Sequence, residues 1–398
     1  MNRDGVEMWG RIVYDGDWSH NLVLDQGLDL MCSTSARDYV DQMLNGCAGF
    51  DGVADSVALI SNISQTGTTV TAVSLGTFSG ADVGKIITWD SDPNGTQVRV
   101  VTFLDSQNVE VDRAQSVGAG AGTIHIVSRT SLGTERSGAN SNTPLRSSTY
   151  LDGGNGLTHS SGSPDYLYWR TYDFSSQISS VVYREVAVSQ STSVGANIFN
   201  RIRLPGDVAV DAGQQLRMLF ELYVTVGPAV VTAASPTITG WGAVPGTECL
   251  GPNDVMMRIA SNGATQNPAT FGRFLAPAQT SIANSSGGTG SLTGSVSPVS
   301  TALANFQATG VNRTGGLTAN STTLQSYSPG TFFRDVRCVY TAAQGATTVR
   351  SCSLSAASVS AGSASVQLFN FLADADQLKA DTHQLVLDFR RSVGRLFA

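Results

Sequence analysis

Residues 181–226 read VVYREVAVSQSTSVGANIFNRIRLPGDVAVDAGQQLRMLFELYVTV. From Leu216 the apolar residues Leu216, Met218, Phe220, Leu222, Val224 and Val226 recur with a period of two, and Arg217, Leu219, Glu221, Tyr223 and Thr225 fill the other face. Successive strand side chains point to opposite faces, so this run predicts a strand with one face on a core and one of mixed character. Upstream, Ile198, Asn200, Ile202 and Leu204 form a weaker alternating run. It is expected to stop at Pro205-Gly206-Asp207, where proline fixes φ and glycine accepts a positive φ. Val208 and Val210 restart the pattern before Asp211-Ala212-Gly213. Three strand-like pieces between short turns predict a meander on one antiparallel sheet. The stretch holds no set of candidate catalytic residues.

Upstream of it, Trp9–Tyr14 reads as an opening strand and Asp15-Gly16-Asp17 as a turn. In Asn21–Met31, Leu24, Leu28 and Met31 share helical spacing and Asp25 suits a helix start, which predicts a short helix. A second helix is expected over Asp38–Leu44, with Tyr39, Met43 and Leu44 on its apolar side. Residues 51–130 then read as a compact all-β module, a small barrel or sandwich, with strands at Ser56–Ile60, Thr68–Val73, Lys85–Trp89, Gln97–Leu104, Asn108–Val111 and Gly122–Val127. Residues 131–164 lack apolar periodicity and read as a long loop or an arm that orders against a neighbour. The aromatic Tyr166-Leu167-Tyr168-Trp169-Arg170-Thr171-Tyr172 resumes the sheet.

Downstream, residues 227–330 read as a loop-rich insertion that includes the low-complexity run from Asn284 to Gly294. Strands are expected at Thr331–Tyr340, Thr347–Leu354 and Ala364–Phe371, a turn or two of helix at Ala373–Ala380, and a closing strand with Leu385, Leu387 and Phe389 on one face. The expected fold class is therefore mainly β: an antiparallel β-sandwich with an inserted small β module and a second, loop-rich insertion.

Composition narrows the function. The 398 residues are 41% hydrophobic and only 14% charged, against about 25% charged in ordinary soluble domains. Net charge is −7 with a pI near 5.1, and no Lys/Arg stripe occurs, so phosphate backbones and anionic membrane surfaces are excluded as natural partners. Lys occurs only at Lys85 and Lys379 among 24 basic residues. Codon bias accounts for such a preference, and so do Arg forks gripping carboxylates across subunit interfaces. The cysteines are Cys32, Cys47, Cys249, Cys338 and Cys352, and the histidines His20, His125, His159 and His383. Neither set has metal-ligand spacing, and free buried thiols are the expectation. A minority reading pairs Cys338 with Cys352 across a hairpin turning at Gln344-Gly345. The opening MNRDGVEMWGR has no apolar leader core, and no run approaches the roughly 18 apolar residues of a membrane span. A protein made in a cytoplasm and held there until assembly or release is expected.

Motifs for turnover are weak. Asp90-Ser91-Asp92-Pro93-Asn94-Gly95 begins like a calcium loop, but its twelfth position is Val101 instead of a bidentate Glu. A hairpin turn is the favoured reading. Gly80-Ala81-Asp82-Val83-Gly84-Lys85 lacks the phosphate-loop spacing, and no G-x-S-x-G elbow occurs. His125 is expected on the solvent face of a strand. Tyr166, Tyr168, Trp169 and Tyr172 suit either a sugar-stacking platform or, in preference, a core or subunit contact. Arg217, Glu221 and Tyr223 form the first candidate subunit interface. No catalytic residue, cofactor or metal is assigned, and no enzyme activity is expected.

Several stretches carry a resemblance. Asn21-Leu22-Val23-Leu24-Asp25-Gln26-Gly27-Leu28-Asp29 resembles the opening common in tail- and fibre-associated virion proteins of tailed bacteriophages. Tyr183-Arg184-Glu185-Val186, Ile198-Phe199-Asn200-Arg201 and Ala212-Gly213-Gln214-Gln215-Leu216 resemble the sheet of the same group. Leu385–Arg390 with Gly394-Arg395 is similar to its closing strand, although a Trp before the final Arg is more usual there. Phe78–Ile87 resembles a small β insert carried by such tail proteins. The resemblance implies that residues 1–50, 131–226 and 331–398 return to one core, with 51–130 and 227–330 inserted. It implies a virion structural component and not a particular position on the virion; the leading expectation is a tail baseplate or fibre-attachment component acting through subunit assembly and host adsorption. A head or neck collar, decoration or fibre-anchoring protein is one alternative. A glycan-binding or glycan-cleaving receptor protein is another. The expected partners are further copies of the chain, a trimer being favoured, other virion proteins and, in the last reading, a host surface glycan. Nucleic acid and membrane insertion are not expected.

Overall fold

The computed structural model describes residues 6–14, 17–33, 45–90, 92, 96–133, 146–147, 156–158, 165–174, 176–177, 179–191, 197–226, 230–234, 246–249, 277–278, 281–283, 289–297, 317–356 and 366–395. In chain order the strands are β1 (Val6–Tyr14), β2 (Asp17–Val23), β3 (Asn45–Gly49), β4 (Ser56–Ala72), β5 (Ile86–Trp89), β6 (Gln97–Phe103), β7 (Asn108–His125), β8 (Arg146–Ser147), β9 (Gly156–Thr158), β10 (Asp165–Asp173), β11 (Val181–Ser189) and β12 (Ile198–Val210). They continue as β13 (Arg217–Val226), β14 (Val230–Ala234), β15 (Gly246–Cys249), β16 (Ser281–Ala283), β17 (Thr289–Ser297), β18 (Leu317–Thr318), β19 (Ser321–Leu324), β20 (Phe333–Tyr340), β21 (Thr347–Ala356), β22 (Val366–Lys379) and β23 (Leu385–Arg395). Helix α1 (Asp25–Ser33) follows β2. The fold is mainly β and its sheets are antiparallel, apart from a short parallel contact of β1 with β23.

The period-two run becomes β13, and Leu216, Met218, Phe220, Leu222 and Val224 are all buried in one large hydrophobic cluster. The meander does not form. β12 lies between β11 and β2, whereas β13 lies between β1 and β10. The Asp211–Leu216 connection is a crossing, held by Gly213 N–H to Gln177 O at 2.7 Å and Gln177 N–H to Gln214 O at 2.8 Å. Nor does Pro205-Gly206-Asp207 end a strand. β12 runs through it, but the ladder jumps from Tyr183↔Val208 to Glu185↔Arg203. Four β12 residues therefore bulge opposite Arg184, whose guanidinium grips the Asp207 carboxylate at 2.7 and 3.0 Å. A bulge absorbs a proline that the ladder would reject.

Residues 56–125 make a four-stranded sheet, β4-β7-β5-β6, around a hydrophobic cluster of their own that includes Ile63, Val70, Ile87, Val100 and Val109. The two strands expected at each end of it are single long ones. β4 and β7 pair through the middle segment, where polar and small residues hide the alternation, by means of three register shifts. The Phe78–Lys85 turn is locally determined: Asp82 accepts from Ser79 N–H at 2.7 Å and pairs with Lys85 at 2.7 Å. Asp92 likewise accepts from Thr96 N–H at 2.9 Å, as in a turn. Residues 91 and 93–95 of the calcium-like loop lie outside the described residues.

Within residues 227–330, β14 pairs with β23 and β19 with β20, while β15, β16 and β17 share a six-stranded sheet with β21 and β22. β17 itself comes from the glycine-rich run. Ala373–Ala380 is not helical: β22 continues to Lys379, and pairing with β21 overrides the helix preference of its alanines. Cys338 is a buried cysteine, its Sγ 3.8 Å from Thr322 Oγ1. β20 and β21 enter different sheets, so Cys338 and Cys352 do not face each other across a hairpin. Helix α1 forms where the spacing puts it, but Asn21–Val23 belongs to β2. The Asp38–Leu44 helix and most of 131–164 lie outside the described residues.

Candidate functional site

The four-stranded module leaves and re-enters the core through residues 51–55 and 126–133. Both segments dock on the face of β11 and β12 that points away from the main core. On that face Ala187, opposite Arg201 on one side and Cys47 on the other, leaves room beside it. Leu24 and Leu132 close over Cys47, Ala187 and Ile198 as a small apolar cluster. Backbone bonds stitch the edges: Asp25 N–H to Val127 O at 2.9 Å, Leu24 N–H to Phe199 O at 3.1 Å, and Ile126 N–H to Asp55 O at 2.7 Å.

Into this seam the chain inserts charges. The side chains of Arg201 and Glu185 are both 0% exposed, and Arg201 Nε donates to Glu185 Oε2 at 2.7 Å. Arg201 also donates to Asp55 and to Val53 O, the latter at 3.0 Å, so one guanidinium holds the entry segment. Glu185 accepts from Asp51 N–H at 3.3 Å and from Gly133 N–H at 3.2 Å, one bond from each segment. Arg129 completes the cluster by pairing with Asp55 at 2.9 Å. Burial raises the Asp55 pKa against the pull of Arg201 and Arg129. A Cβ at Gly133 would overlap the Asp51 side chain, so any larger residue there would displace Asp51.

A second cluster sits at the start of α1. Asp25 accepts a two-toothed grip from Arg99 of β6, at 2.8 and 2.9 Å, and a further bond from Arg395 of β23 at 2.5 Å. Gln97 Nε2 donates to Arg395 O at 2.8 Å, and both guanidiniums lie 5.8 Å from the Phe332 ring centre. Further along α1, Asp29 accepts from Tyr327 Oη and Gly330 N–H, and Cys32 O accepts from Arg334 at 2.7 Å. Core, module, C-terminal strand and the 325–334 segment thus converge on nine residues of helix. Gly27 makes the convergence possible, since a Cβ there would overlap Phe199 O. Gly27→Ala is expected to destabilise the chain by about 1–3 kcal/mol through overpacking, measured by chemical denaturation. An unchanged midpoint would show that α1 can shift away from β12.

The residues singled out from sequence lie elsewhere. Trp169 is opposite Glu221 in the β10–β13 ladder, and Asp173 opposite Arg217. Glu221 accepts from Tyr223 Oη at 3.2 Å, and Arg217 grips Asp173 at 2.8 and 3.1 Å. The structure therefore brings Trp169 to the Arg217–Glu221–Tyr223 face and separates it from Tyr172, which is 0% exposed in the core and unable to stack on a sugar. The side chains of Tyr166 and Tyr168 lie outside the described residues. His125 is not on a solvent face: it is partly buried at the seam, with Nε2 3.0 Å from Thr88 Oγ1. Sequence reading named Asp25 as a helix start and Glu185, Arg201 and Arg395 within the resemblance, but it did not bring them together as charge clusters and did not single out Arg99. The preference for Arg was their one visible trace, because Arg99, Arg184, Arg217, Arg337 and Arg390 all make two-toothed pairs with aspartates of the same chain. Among the described residues no group of three or more His, Cys, Asp or Glu could hold a metal, and no helix is long and apolar enough to cross a membrane. No protein-family model, curated protein or solved structure matches the chain.

Proposed function

We propose that the chain is a structural component of a tailed-bacteriophage virion, at the tail baseplate or a fibre attachment, and acts by presenting its β module from a β core to neighbouring subunits. The observation that supports this is the position of Asn21–Asp29. This stretch carries the resemblance to tail proteins, and in the fold its side chains hold the module, the core and the C-terminal strand together. Such a joint serves presentation: it fixes a compact unit rigidly while leaving the far end of that unit uncovered. At that end Val73, Leu75, Phe103 and Leu104 are exposed.

The test is to locate the chain in an electron-microscopy reconstruction of the particles and to identify it among their proteins by mass spectrometry. Density at the baseplate or fibre attachment is expected. Density at the head or neck selects the collar, decoration or fibre-anchoring alternative, and absence from the particles overturns the assignment. Light scattering on the isolated 41.6 kDa chain is expected to show a multimer. A second reading, host-glycan binding, is favoured only by Trp169 beside Glu221 on a partly exposed face. A glycan array on which binding disappears in Trp169→Ala would select it.

A further inference from the structure

The end of the module far from the seam carries apolar side chains in solvent. Val73 is 71% and Leu75 80% exposed, and Phe103 and Leu104 are exposed as well. Hydrogen bonds hold their two segments together: Ala72 N–H donates to Gln107 O at 2.7 Å, Phe78 N–H to Ser106 O at 3.0 Å, and Gln107 Nε2 to Val73 O at 3.1 Å. In the ladder Thr71 lies opposite Asn108, while Glu110 lies opposite Thr69 on one side and Thr102 on the other. The period of two therefore puts Val73 and Leu104 on one outward face, with Glu110 on the strand between them. Val70, Ala72 and Val109 take the inward face and are buried in the module's own cluster. Single exposed apolar residues are ordinary, but a group of them at one end of a well-packed unit marks an interaction site.

The charge at this end has one sign. Residues 56–125 hold Asp82, Asp90, Asp92, Asp105, Glu110 and Asp112 against Lys85, Arg99 and Arg113. All of those cations are committed: Lys85 to Asp82 at 2.7 Å, Arg99 to Asp25 of the core at 2.8 Å, and Arg113 beside Asp112 at 3.9 Å. Asp105, next to Leu104, and Glu110, on the outward face, are left as the charges bordering the apolar group. Asp105 is fixed by its own turn, accepting from Asn108 Nδ2 at 2.9 Å and from Gln107 N–H at 2.7 Å. We propose that this end of the module docks a different protein, whose contact surface is apolar at its centre and ringed by Lys or Arg. A second copy would bring Asp105 and Glu110 against the same acids, and like-charge contact selects against such a pairing. An anionic lipid surface is repelled for the same reason. The apolar side chains supply affinity by leaving water, and the two acids set orientation and association rate. The proposed function leaves the chemistry of the neighbour open; the patch and its acidic border name it, and they do so wherever the protein resides.

The probe is a random peptide library, selected at low salt against the full chain; the most enriched peptides are then synthesised and titrated by fluorescence anisotropy. They are expected to combine Leu, Phe or Trp with an excess of Lys or Arg. Their affinity is expected to fall about tenfold or more for the double variant Leu75→Ser with Leu104→Ser, and about two- to fivefold for Glu110→Gln. An unchanged denaturation midpoint checks that the exposed leucines were replaced without disturbing the fold. If the double variant fails to fold, Leu75→Ser alone takes its place. Peptides that bind the leucine variant as well as the unmodified chain, an enriched set with no basic excess, or no binder at all overturn the proposal. So does a multimer that dissociates in the leucine variant, which makes the patch a contact between copies. Binding to neutral phosphatidylcholine vesicles that this variant abolishes also overturns it, because the patch is then a lipid contact. None of these outcomes bears on where the chain sits in a particle, so the docking surface and the virion assignment fail separately.

Discussion

Replacing Arg201 with alanine is expected to destabilise the chain by about 3–5 kcal/mol, the usual cost of removing one partner of a buried ion pair. The reason is what remains. Glu185 would keep its carboxylate at 0% side-chain exposure, with backbone N–H donors at 3.2 and 3.3 Å, and would lose the Arg201 guanidinium. Asp55 would keep Arg129 alone, and Val53 O would lose its donor. Hydrogen bonds from neutral donors do not offset burial of a net charge. Chemical denaturation measures the loss. The double variant Glu185→Gln with Arg201→Met separates charge from packing. Removing both charges from a buried pair is often nearly neutral, and Gln retains an oxygen for Asp51 or Gly133 N–H. The double variant is therefore expected to recover at least half of the loss. If it is no more stable than Arg201→Ala, then shape and not charge explains the seam.

Why this cluster escaped the sequence follows from how alternation works. In β11 and β12 the period of two correctly separates Val186, Val188 and Ile202, which enter the main core, from Glu185, Ala187 and Arg201 on the reverse face. A reverse face with charges reads as solvated. Here it is covered by the connecting segments, and nothing local in either strand records that cover. The partners are distant: Asp55 is 146 positions from Arg201, and Asp25 is 74 from Arg99 and 370 from Arg395. What was legible rests on short-range physics. Leu24, Leu28 and Met31 set α1, all three of them buried, and the 216–224 alternation set β13. The failures were bulges and long-range pairings. Four residues around Pro205 leave the ladder without ending the strand, β7 runs through Gly118–Gly122 because β4 pairs with it, and β22 runs through its Ala-Asp repeat because β21 does. In each case tertiary pairing overrode the local preference.

The same logic makes Asp25 the second sensitive point. Asp25→Ala is expected to cost about 3–5 kcal/mol, because it leaves Arg395 buried as an unpaired cation. Loss of an acid from the first turn of α1 adds only about 0.3–1 kcal/mol through the helix dipole, so the ion pairs decide the outcome. Arg99 and Arg395 do not contribute equally. The Arg99 side chain is 24% exposed and keeps a second acceptor, Gly84 O, at 2.7 Å, whereas that of Arg395 is 2% exposed. Arg99→Ala leaves the Asp25–Arg395 pair intact and opens a site already reached by water, so it is expected to cost no more than about 1 kcal/mol. Asp25→Asn keeps an acceptor for one guanidinium but not the charge, and should fall between the two. Denaturation of the three variants, read together, tests whether Asp25 serves mainly to neutralise Arg395. That account requires Asp25→Ala to be the least stable, Asp25→Asn intermediate and Arg99→Ala the mildest. An Arg99→Ala loss equal to that of Asp25→Ala would instead place the strength of the joint in the module-to-helix pair, and Arg395 would then be a cation that the C-terminal strand tolerates without help from Asp25.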